Sequence, residues 1–439
     1  MSGLDIGLLS MAAIVILIYA GMHVSIALCL VSLVGVWAIK GNFELAAKLL
    51  ALAASDAVSS YEFGVVPLFV LMGLLVSVAG LGRDTFGAAD VLLRGVRGGL
   101  GVATVVANAA FAAVTGISIA SAAVFTKIAV PEMLRLGYRP QFAVGVVAGS
   151  SVLGMLIPPS LLLIIFGLLA EQSIGDLFIA GIVPGLLLAM AFCVTILIYA
   201  YLAPEKIQDP RAAAAQMERQ SDLTIRQALL SLVPLVALVL LVLGGIYAGW
   251  FTPTESGAIG ALGALILALW RRRLTLSSTW RVLIETGYVT VSILFLIISA
   301  NIYSRLLALS GMPQALEQWV TGSHFSFYHL LFIYVVIVVV MGTLIDAVSI
   351  MLIMVPMFLP PLASYQVNLV WFGIITVIAA EIGLLTPPFG LSVYVIKSTL
   401  DDPRISLTDI FKGAAPYAVV MLLVLLLIIF VPGIALVLL

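Results

Sequence analysis

The sequence contains few charged residues. Only 9% of its 439 residues are Asp, Glu, Lys or Arg, whereas a soluble domain carries roughly 25%. Hydrophobic residues make up 63% of the chain, so its composition excludes an ordinary soluble protein and indicates an integral membrane protein. The 20 basic and 21 acidic residues leave a net charge of -1. This balance offers no basic surface for nucleic acid.

Cysteine, histidine and catalytic motifs are also scarce. Cys29 and Cys193 fall in separate apolar runs and provide neither a disulfide framework nor a set of metal ligands. His23, His324 and His329 lack metal-ligand spacing. No nucleophile elbow, dinucleotide fingerprint or P-loop occurs in a suitable context. These features argue against an enzyme, a transition-metal site, a bound cofactor and an ATP-driven pump, so transport energy would come from an ion gradient or another chain.

The N-terminus has no basic segment and no small-residue cleavage site around its first apolar run. A secretory signal peptide normally has both features. We therefore expect the first hydrophobic segment to remain as a membrane helix.

Long apolar runs predict membrane helices. The runs at 229–247, 325–345 and 417–439 approach or exceed the roughly 20 residues that a spanning helix needs. They lack the alternation of barrel strands, so the predicted fold class is an all-α polytopic membrane protein. Four stretches are too long for one straight crossing and are predicted to be broken or hairpin-shaped. They lie near 6–39, 100–130, 141–170 and 368–400.

One kind of helix break occurs twice. The segment GMLIPP at 154–159 returns as GLLTPP at 383–388. A glycine followed by a proline pair cannot continue a helix, because proline lacks the N–H donor and clashes with the preceding turn. Freed backbone groups cost several kcal/mol each in hydrocarbon, so such breaks are tolerated only inside protein or beside a polar cavity. The duplication suggests a binding site between two repeats.

The repetition extends upstream of both breaks. Each half has a short polar segment, after Gly80 or Gly311, then a helix interrupted at glycine and hydroxyl residues, then the Pro-Pro hairpin. Such halves typically form inverted repeats around a site near mid-membrane. We predict a single membrane domain over 1–439, with repeats near 43–202 and 275–439, hairpins near 141–170 and 368–400, and a polar loop at 203–226. Basic residues in that loop and at 271–273 place both on the cytoplasmic side.

Side-chain oxygens collect at the breaks. They belong to Thr115, Ser118, Ser121, Ser150 and Ser151 in the first half, and to Thr343, Asp346, Ser349, Glu381 and Thr386 in the second. Oxygen ligands and unwound carbonyls suit a hard cation such as sodium. Carboxylates inside a membrane are costly and usually functional, which favours Asp346 and Glu381 as ion ligands over carboxylates merely hydrogen-bonded near a helix end. The hydroxyl residues alone fit helix packing equally well.

Two further points concern individual positions. Setting Pro131 on Pro356 pairs Ser121 with Asp346, and it pairs Ser118 with Thr343 in the same way. Lys127 follows the first break, where it either faces a carboxylate substrate or extends to the interface near Glu132. Arg305 has the same ambiguity.

With these motifs the chain resembles the large membrane subunit of TRAP transporters, the tripartite ATP-independent periplasmic class, and among them the C4-dicarboxylate type. The resemblance covers nearly the whole chain. The segments that carry it are 115–133, 149–160, 342–356 and 381–390.

The resemblance implies sodium-coupled import of organic acids by a multi-pass protein of a bacterial or archaeal inner membrane. It implies a periplasmic binding protein that delivers the carboxylate, a small membrane subunit as a second partner, and lipid around the complex. It also implies an elevator-type fold, like that of divalent-anion sodium symporters, in which each hairpin tip faces the break of its own repeat and holds one sodium ion.

This fold assigns the candidate residues to three groups. The first ion site would comprise Thr115, Gly116, Ser118, Ser121, Ser150, Ser151, Gly154 and Pro158. The second ion site would comprise Gly342, Thr343, Asp346, Glu381, Gly383, Thr386 and Pro387. Substrate would lie between them, near Pro159, Ser160, Pro388 and Lys127.

The chain departs from the family pattern at three positions. Many members carry Asp where Ser121 stands, Ser near Lys127, and Pro where Ala347 stands. The first departure leaves both intramembrane carboxylates in the second half. We therefore expect the sodium ion at the second break to be held more tightly.

Two other functions compete with this one. A stand-alone ion-coupled anion symporter or antiporter would share the fold but need no binding protein. A membrane-embedded enzyme would use Asp346 and Glu381 as an acid/base pair. The duplicated breaks have no natural explanation in such an enzyme.

Overall fold

The computed structural model describes residues 2–59, 61–208, 224–322, 326–400 and 402–439. Within these residues the regular structure is helical, apart from an isolated bridge between Tyr138 and Gln208. The prediction of an all-α protein is confirmed. Of the predicted polar loop, residues 209–223 lie outside the described part of the chain, as does His324.

Short turns separate most of the helices. Up to the central loop they are α1 (Gly3–Tyr19), α2 (Val24–Lys40), α3 (Phe43–Ser59), α4 (Val65–Val78), α5 (Leu81–Leu93), α6 (Gly99–Thr115), α7 (Ser118–Arg135), α8 (Pro140–Ser151), α9 (Leu161–Ala170), α10 (Ile174–Leu202) and α11 (Pro204–Ile207). After it they are α12 (Ile225–Tyr247), α13 (Pro253–Trp270), α14 (Leu276–Ser310), α15 (Met312–Gly322), α16 (Phe327–Gly342), α17 (Ala347–Ala363), α18 (Leu369–Leu385), α19 (Leu391–Thr399), α20 (Leu407–Phe430) and α21 (Gly433–Leu436).

Helix length separates two groups of elements. By length and composition, five described helices can cross a membrane, namely α10, α12, α13, α14 and α20. The pair α4 and α5 is a sixth candidate, bent by 60°. The helices that flank the breaks are shorter, and α6, α8, α9, α16, α17 and α18 each have only 10–17 residues. All six are shorter than the roughly 20 residues that a straight crossing typically needs.

Local sequence explains where the long helices begin. Each of α12, α13, α14 and α20 starts with a capping box, in which a Ser or Thr before the helix accepts an N–H from its third residue and that residue's side chain accepts the N–H of the cap. Such a box satisfies two donors that a helix start leaves open. These helix starts are therefore set by sequence alone.

A side chain from another helix stabilises the bend between α4 and α5. Arg271, just after α13, forms an ion pair with Asp84 in the first turn of α5. The same guanidinium lies 3.5 Å from the carbonyl oxygen of Ala79, at the end of α4. One side chain thus contacts both arms of the bend.

The helices of each hairpin pack on helices of the opposite half. The second arm of the first hairpin, α9, packs on α17 of the second half, and α19 packs on α7 of the first. The first arms follow the same rule, since α8 packs on α20 and α18 on α10. Both first arms are almost wholly buried. The core therefore lies where the predicted site residues are.

Candidate functional site

The first break separates α6 from α7. Gly116 has a φ of 65°, a conformation that favours glycine. A Cβ there would lie 2.4 Å from the carbonyl oxygen of Pro159. The Gly116 carbonyl accepts a hydrogen bond from the backbone N–H of Leu161 at 3.1 Å. The break is therefore closed by the tip of the first hairpin.

The second break, between α16 and α17, has the same relation to the second hairpin. The carbonyl of Thr343 accepts a hydrogen bond from the backbone N–H of Phe389 at 3.2 Å. Gly342 and Gly383 touch through their backbones, because a Cβ on Gly383 would lie 2.4 Å from the Cα of Gly342. The structure thus joins each hairpin tip to the break of its own half.

The two tips differ in exposure. The first hairpin passes from α8 through a 3-10 turn, Val152–Met155, before α9, and Gly154 in this turn lies against Ile117. Both Pro-Pro bonds are cis. Pro158 and Pro159 are buried, whereas Pro387 and Pro388 are exposed and Phe389 is 44% exposed. One hairpin tip is therefore enclosed and the other is open.

Most predicted hydroxyl ligands donate their proton to their own helix. Acceptors are backbone carbonyls within one turn, and the donors are Thr115, Ser150, Ser151, Thr343 and Thr386. Ser160 caps α9, accepting the N–H of Leu163 at 3.2 Å, and donates to the carbonyl of Met155. A hydroxyl bonded in this way keeps oxygen lone pairs for a cation. Its geometry suits either ion binding or helix packing.

Asp346 begins α17. Its carboxylate accepts the backbone N–H of Ser349 at 3.0 Å and also the Ser349 hydroxyl proton. The corresponding cap of α7 is Ile117, which makes no side-chain cap bond. This corrects the alignment that paired Ser121 with Asp346 and Ser118 with Thr343. Ser118 and Ser121 lie inside the start of α7, whereas Thr343 and Asp346 precede α17.

The placement of Glu381 also differs from the sequence-based assignment. We assigned Glu381 to the second ion site, but its carboxylate accepts a hydrogen bond from Ser118 of the first break, with 3.2 Å between the oxygens. The side chain is 1% exposed, and its Oε2 has no hydrogen-bond partner among the described residues. Ser121, about one turn after Ser118 on α7, is also buried, and its hydroxyl has no hydrogen-bond partner within that part of the chain. The carboxylates are thus divided between the two breaks.

Sequence reasoning missed Asn108. This residue lies two turns before the end of α6, fully buried, and its amide donates to the Ser150 hydroxyl at 2.8 Å. Its Oδ1 has no partner among the described residues. An uncharged amide in an apolar run marks interhelical hydrogen bonding. Sequence alone does not indicate this contact, because Ser150 lies 42 positions away on another helix.

Lys127 lies on the exposed face of α7, whereas Ser118 and Ser121 are buried. Positions 118 and 127 are nine residues apart, which at 3.6 residues per turn places them on opposite sides of the helix. The structure therefore does not bring Lys127 together with the first break.

We expect Lys127→Ala to leave the KM for uptake of a radiolabelled carboxylate unchanged within about twofold, because substitutions at exposed positions change free energies by under ~0.5 kcal/mol. Concentration-dependent uptake into proteoliposomes measures this. A KM that rises tenfold or more in this variant would place the lysine at the substrate site.

Comparison with known proteins gives a family match. The model of the family "Tripartite ATP-independent periplasmic transporter, DctM component" matches residues 11–434. This range includes both hairpins and both breaks.

Individual relatives cover nearly the full chain. The "C4-dicarboxylate TRAP transporter large permease protein DctM" of Pseudomonas aeruginosa is 33% identical over 89% of this chain and 88% of its own. The "Sialic acid TRAP transporter large permease protein SiaM" of Vibrio cholerae is 30% identical over 93% and 92%. Among solved structures, the Alcanivorax borkumensis YdaH transporter has a TM-score of 0.58 at 15% identity, covering 89% of this chain and 86% of that one. This last likeness concerns the fold alone.

Proposed function

This chain belongs to the DctM family, the large permease subunits of tripartite ATP-independent periplasmic transporters, and we propose that it uses a sodium gradient to import an organic acid. It is a membrane transport subunit of the inner membrane, not an enzyme. Sodium coupling, the substrate class and the transport motion are the proposed elements.

One observation carries the sodium proposal, namely the matched pair of breaks. In each half, a hairpin tip donates a backbone N–H to a carbonyl of the break, at 3.1 Å in the first half and 3.2 Å in the second. At each break, a carboxyl group lies at the start of the following helix; it comes from Glu381 at α7 and from Asp346 at α17. Oxygen ligands with one nearby negative charge suit a monovalent hard cation.

The substrate class follows from chemistry and relatedness together. The relatives described above are named for C4-dicarboxylates and sialic acid, both of which carry carboxylates. Substrate would lie between the hairpin tips, near Pro159, Ser160 and Pro388. Lys127 points elsewhere and is not needed in this proposal.

A tripartite system requires two further components. We assign these to a small membrane subunit and a periplasmic binding protein that delivers the carboxylate. The alternative of a stand-alone symporter predicts uptake without a binding protein. For the motion we propose an elevator, since the hairpins and broken helices pack on one another across the halves. The bend at Gly80 and the junction at Gly311 would connect this body to the flanking helices.

Reconstitution tests the proposal. We expect uptake of radiolabelled succinate or sialic acid into proteoliposomes containing all three components to rise about tenfold or more when a roughly tenfold inward sodium gradient replaces choline, because each co-transported ion then supplies about 1.4 kcal/mol, a factor of ten. Omitting the binding protein should remove this uptake. Potassium and proton gradients of equal size serve as matched controls.

Two results would count against the proposal in different ways. Equal uptake with sodium and choline would remove sodium coupling. Equal uptake with and without the binding protein would favour the stand-alone symporter.

A further inference from the structure

Glu381 lies in the second half but contacts the break of the first. We propose that Glu381 supplies the carboxylate of the first ion site from the opposite repeat, and that this arrangement makes sodium binding at the two breaks cooperative. The inference rests on the proposed sodium coupling. It assigns to the first ion site a ligand that the first repeat does not itself contain.

The first turn of α7 has no capping side chain next to it in sequence. Its cap residue, Ile117, has no side-chain oxygen, so no cap of its own neutralises the first turn. The Ser118 hydroxyl donates instead to Glu381 Oε1 at 3.2 Å. A negative charge at a helix N-terminus is stabilising. In the second half, Asp346 performs this task for α17 within its own repeat.

The second oxygen of Glu381 is available to bind a cation. Oε2 is buried and has no hydrogen-bond partner among the described residues. No Lys or Arg in that part of the chain forms an ion pair with this side chain. A buried carboxylate is costly unless a positive charge accompanies it. A sodium ion at the first break would supply that charge, and the Ser118 oxygen, 3.2 Å from Oε1, is a candidate second ligand.

The same turn of α18 also forms the second break. Gly383 packs on the backbone of Gly342, and a Cβ on Gly342 would lie 3.0 Å from the carbonyl oxygen of Ala380. Residues 380–383 form one continuous helical turn within α18. An ion that fixes Gly342 against this turn therefore also fixes the Glu381 side chain beside Ser118. Coupling between the sites thus has a direct physical path.

The test is equilibrium binding of ²²Na⁺ to the purified full-length chain in lipid nanodiscs. For the wild type we expect two bound ions and a Hill coefficient clearly above unity. For Glu381→Gln, which keeps the shape but removes the charge, we expect loss of one ion and a Hill coefficient that falls to unity. Affinity at the remaining site should fall about tenfold, within the usual range of coupling between sites.

Two further variants separate the role of Glu381 in ion binding from a general effect on protein stability. Thr376→Val removes another fully buried hydrogen bond of α18, the 3.0 Å contact with the Tyr334 hydroxyl, and should leave the Hill coefficient unchanged. Ser118→Ala removes the donor but keeps the carboxylate, so both ions should still bind, with weakened cooperativity. Ser118→Ala also carries the test if Glu381→Gln fails to fold.

The possible results separate the role of Glu381 from the proposed sodium coupling. Wild-type protein that binds no ²²Na⁺ would overturn the proposed sodium coupling. Wild-type protein that binds two ions independently would overturn the cooperativity. Cooperative binding that survives both Glu381→Gln and Ser118→Ala would overturn the role of Glu381 while leaving sodium-driven transport intact.

Discussion

Asp346→Asn is expected to abolish sodium-driven uptake while leaving the fold intact. Asparagine caps a helix about as well as aspartate, so its side-chain oxygen can still accept the Ser349 N–H at the start of α17. The variant therefore removes the negative charge but not the cap. Asp346 is half-buried; an interaction with a charged group is worth roughly 1.5–3 kcal/mol, and about 1.4 kcal/mol corresponds to a tenfold change in affinity. Sodium affinity at the second break should therefore fall about tenfold to a hundredfold.

The measurement is sodium-dependent uptake in proteoliposomes, together with the melting temperature of the purified chain. Asp346→Ala should lose uptake as well and should also lose about 1 kcal/mol of stability, because alanine cannot cap. Thr252→Ala removes the cap of α13, away from both breaks, and should lower stability while sodium affinity is retained. If Asp346→Asn transported with wild-type sodium dependence, its carboxylate would be a structural cap alone.

The elements of the fold that depend on local chemistry were predictable from sequence. The apolar runs predicted an all-helical membrane protein, and the helices that begin at Thr224, Thr252 and Ser406 have local capping boxes. Both breaks follow from glycine and proline, which cannot continue a helix. These features require no knowledge of what lies opposite them in space.

The contacts between halves were not predictable, because they depend on tertiary packing. Ser118 and Glu381 lie 263 positions apart in sequence, and nothing in either segment indicates the other. Aligning the two halves on their prolines misplaced Asp346, because the second break contains more residues than the first. As a result, α7 and α17 start at different positions relative to those prolines. Asn108 was missed for a related reason, since its partner Ser150 belongs to another helix.

The division of carboxylates changes the expected balance of the two sites. Sequence analysis placed both carboxylates at the second break and so favoured tighter sodium binding there. With Glu381 beside Ser118 and Asp346 at the start of α17, each break has one carboxyl group. The remaining difference is exposure, since the first hairpin tip is buried and the second is open. Desolvation strengthens electrostatic attraction, so the tighter site is now expected at the first break.

Gly383→Ala tests whether close backbone contact is needed at a break. Alanine suits a helix interior better than glycine, so α18 itself would favour the substitution. The new Cβ, however, would lie 2.4 Å from the Cα of Gly342 and 2.8 Å from the carbonyl oxygen of Val339. Backbone atoms cannot rotate aside as a side chain can, so the hairpin must separate from the break. Overpacking of this kind costs about 1–3 kcal/mol or more, and sodium uptake should be lost.

Gly287→Ala is the matched control. Gly287 lies within α14, and a Cβ there would meet no atom within 4 Å, so this variant should retain full uptake and melt at the same or a higher temperature. Gly116→Ala should reproduce the loss in the first half, because its Cβ would lie 2.4 Å from the Pro159 carbonyl oxygen. Sodium-dependent uptake and melting temperature, measured on all three variants, test whether each hairpin tip must contact its break. Full uptake in Gly383→Ala would show that the hairpin tip and the break do not need to touch, and the ion site would then have to be formed elsewhere.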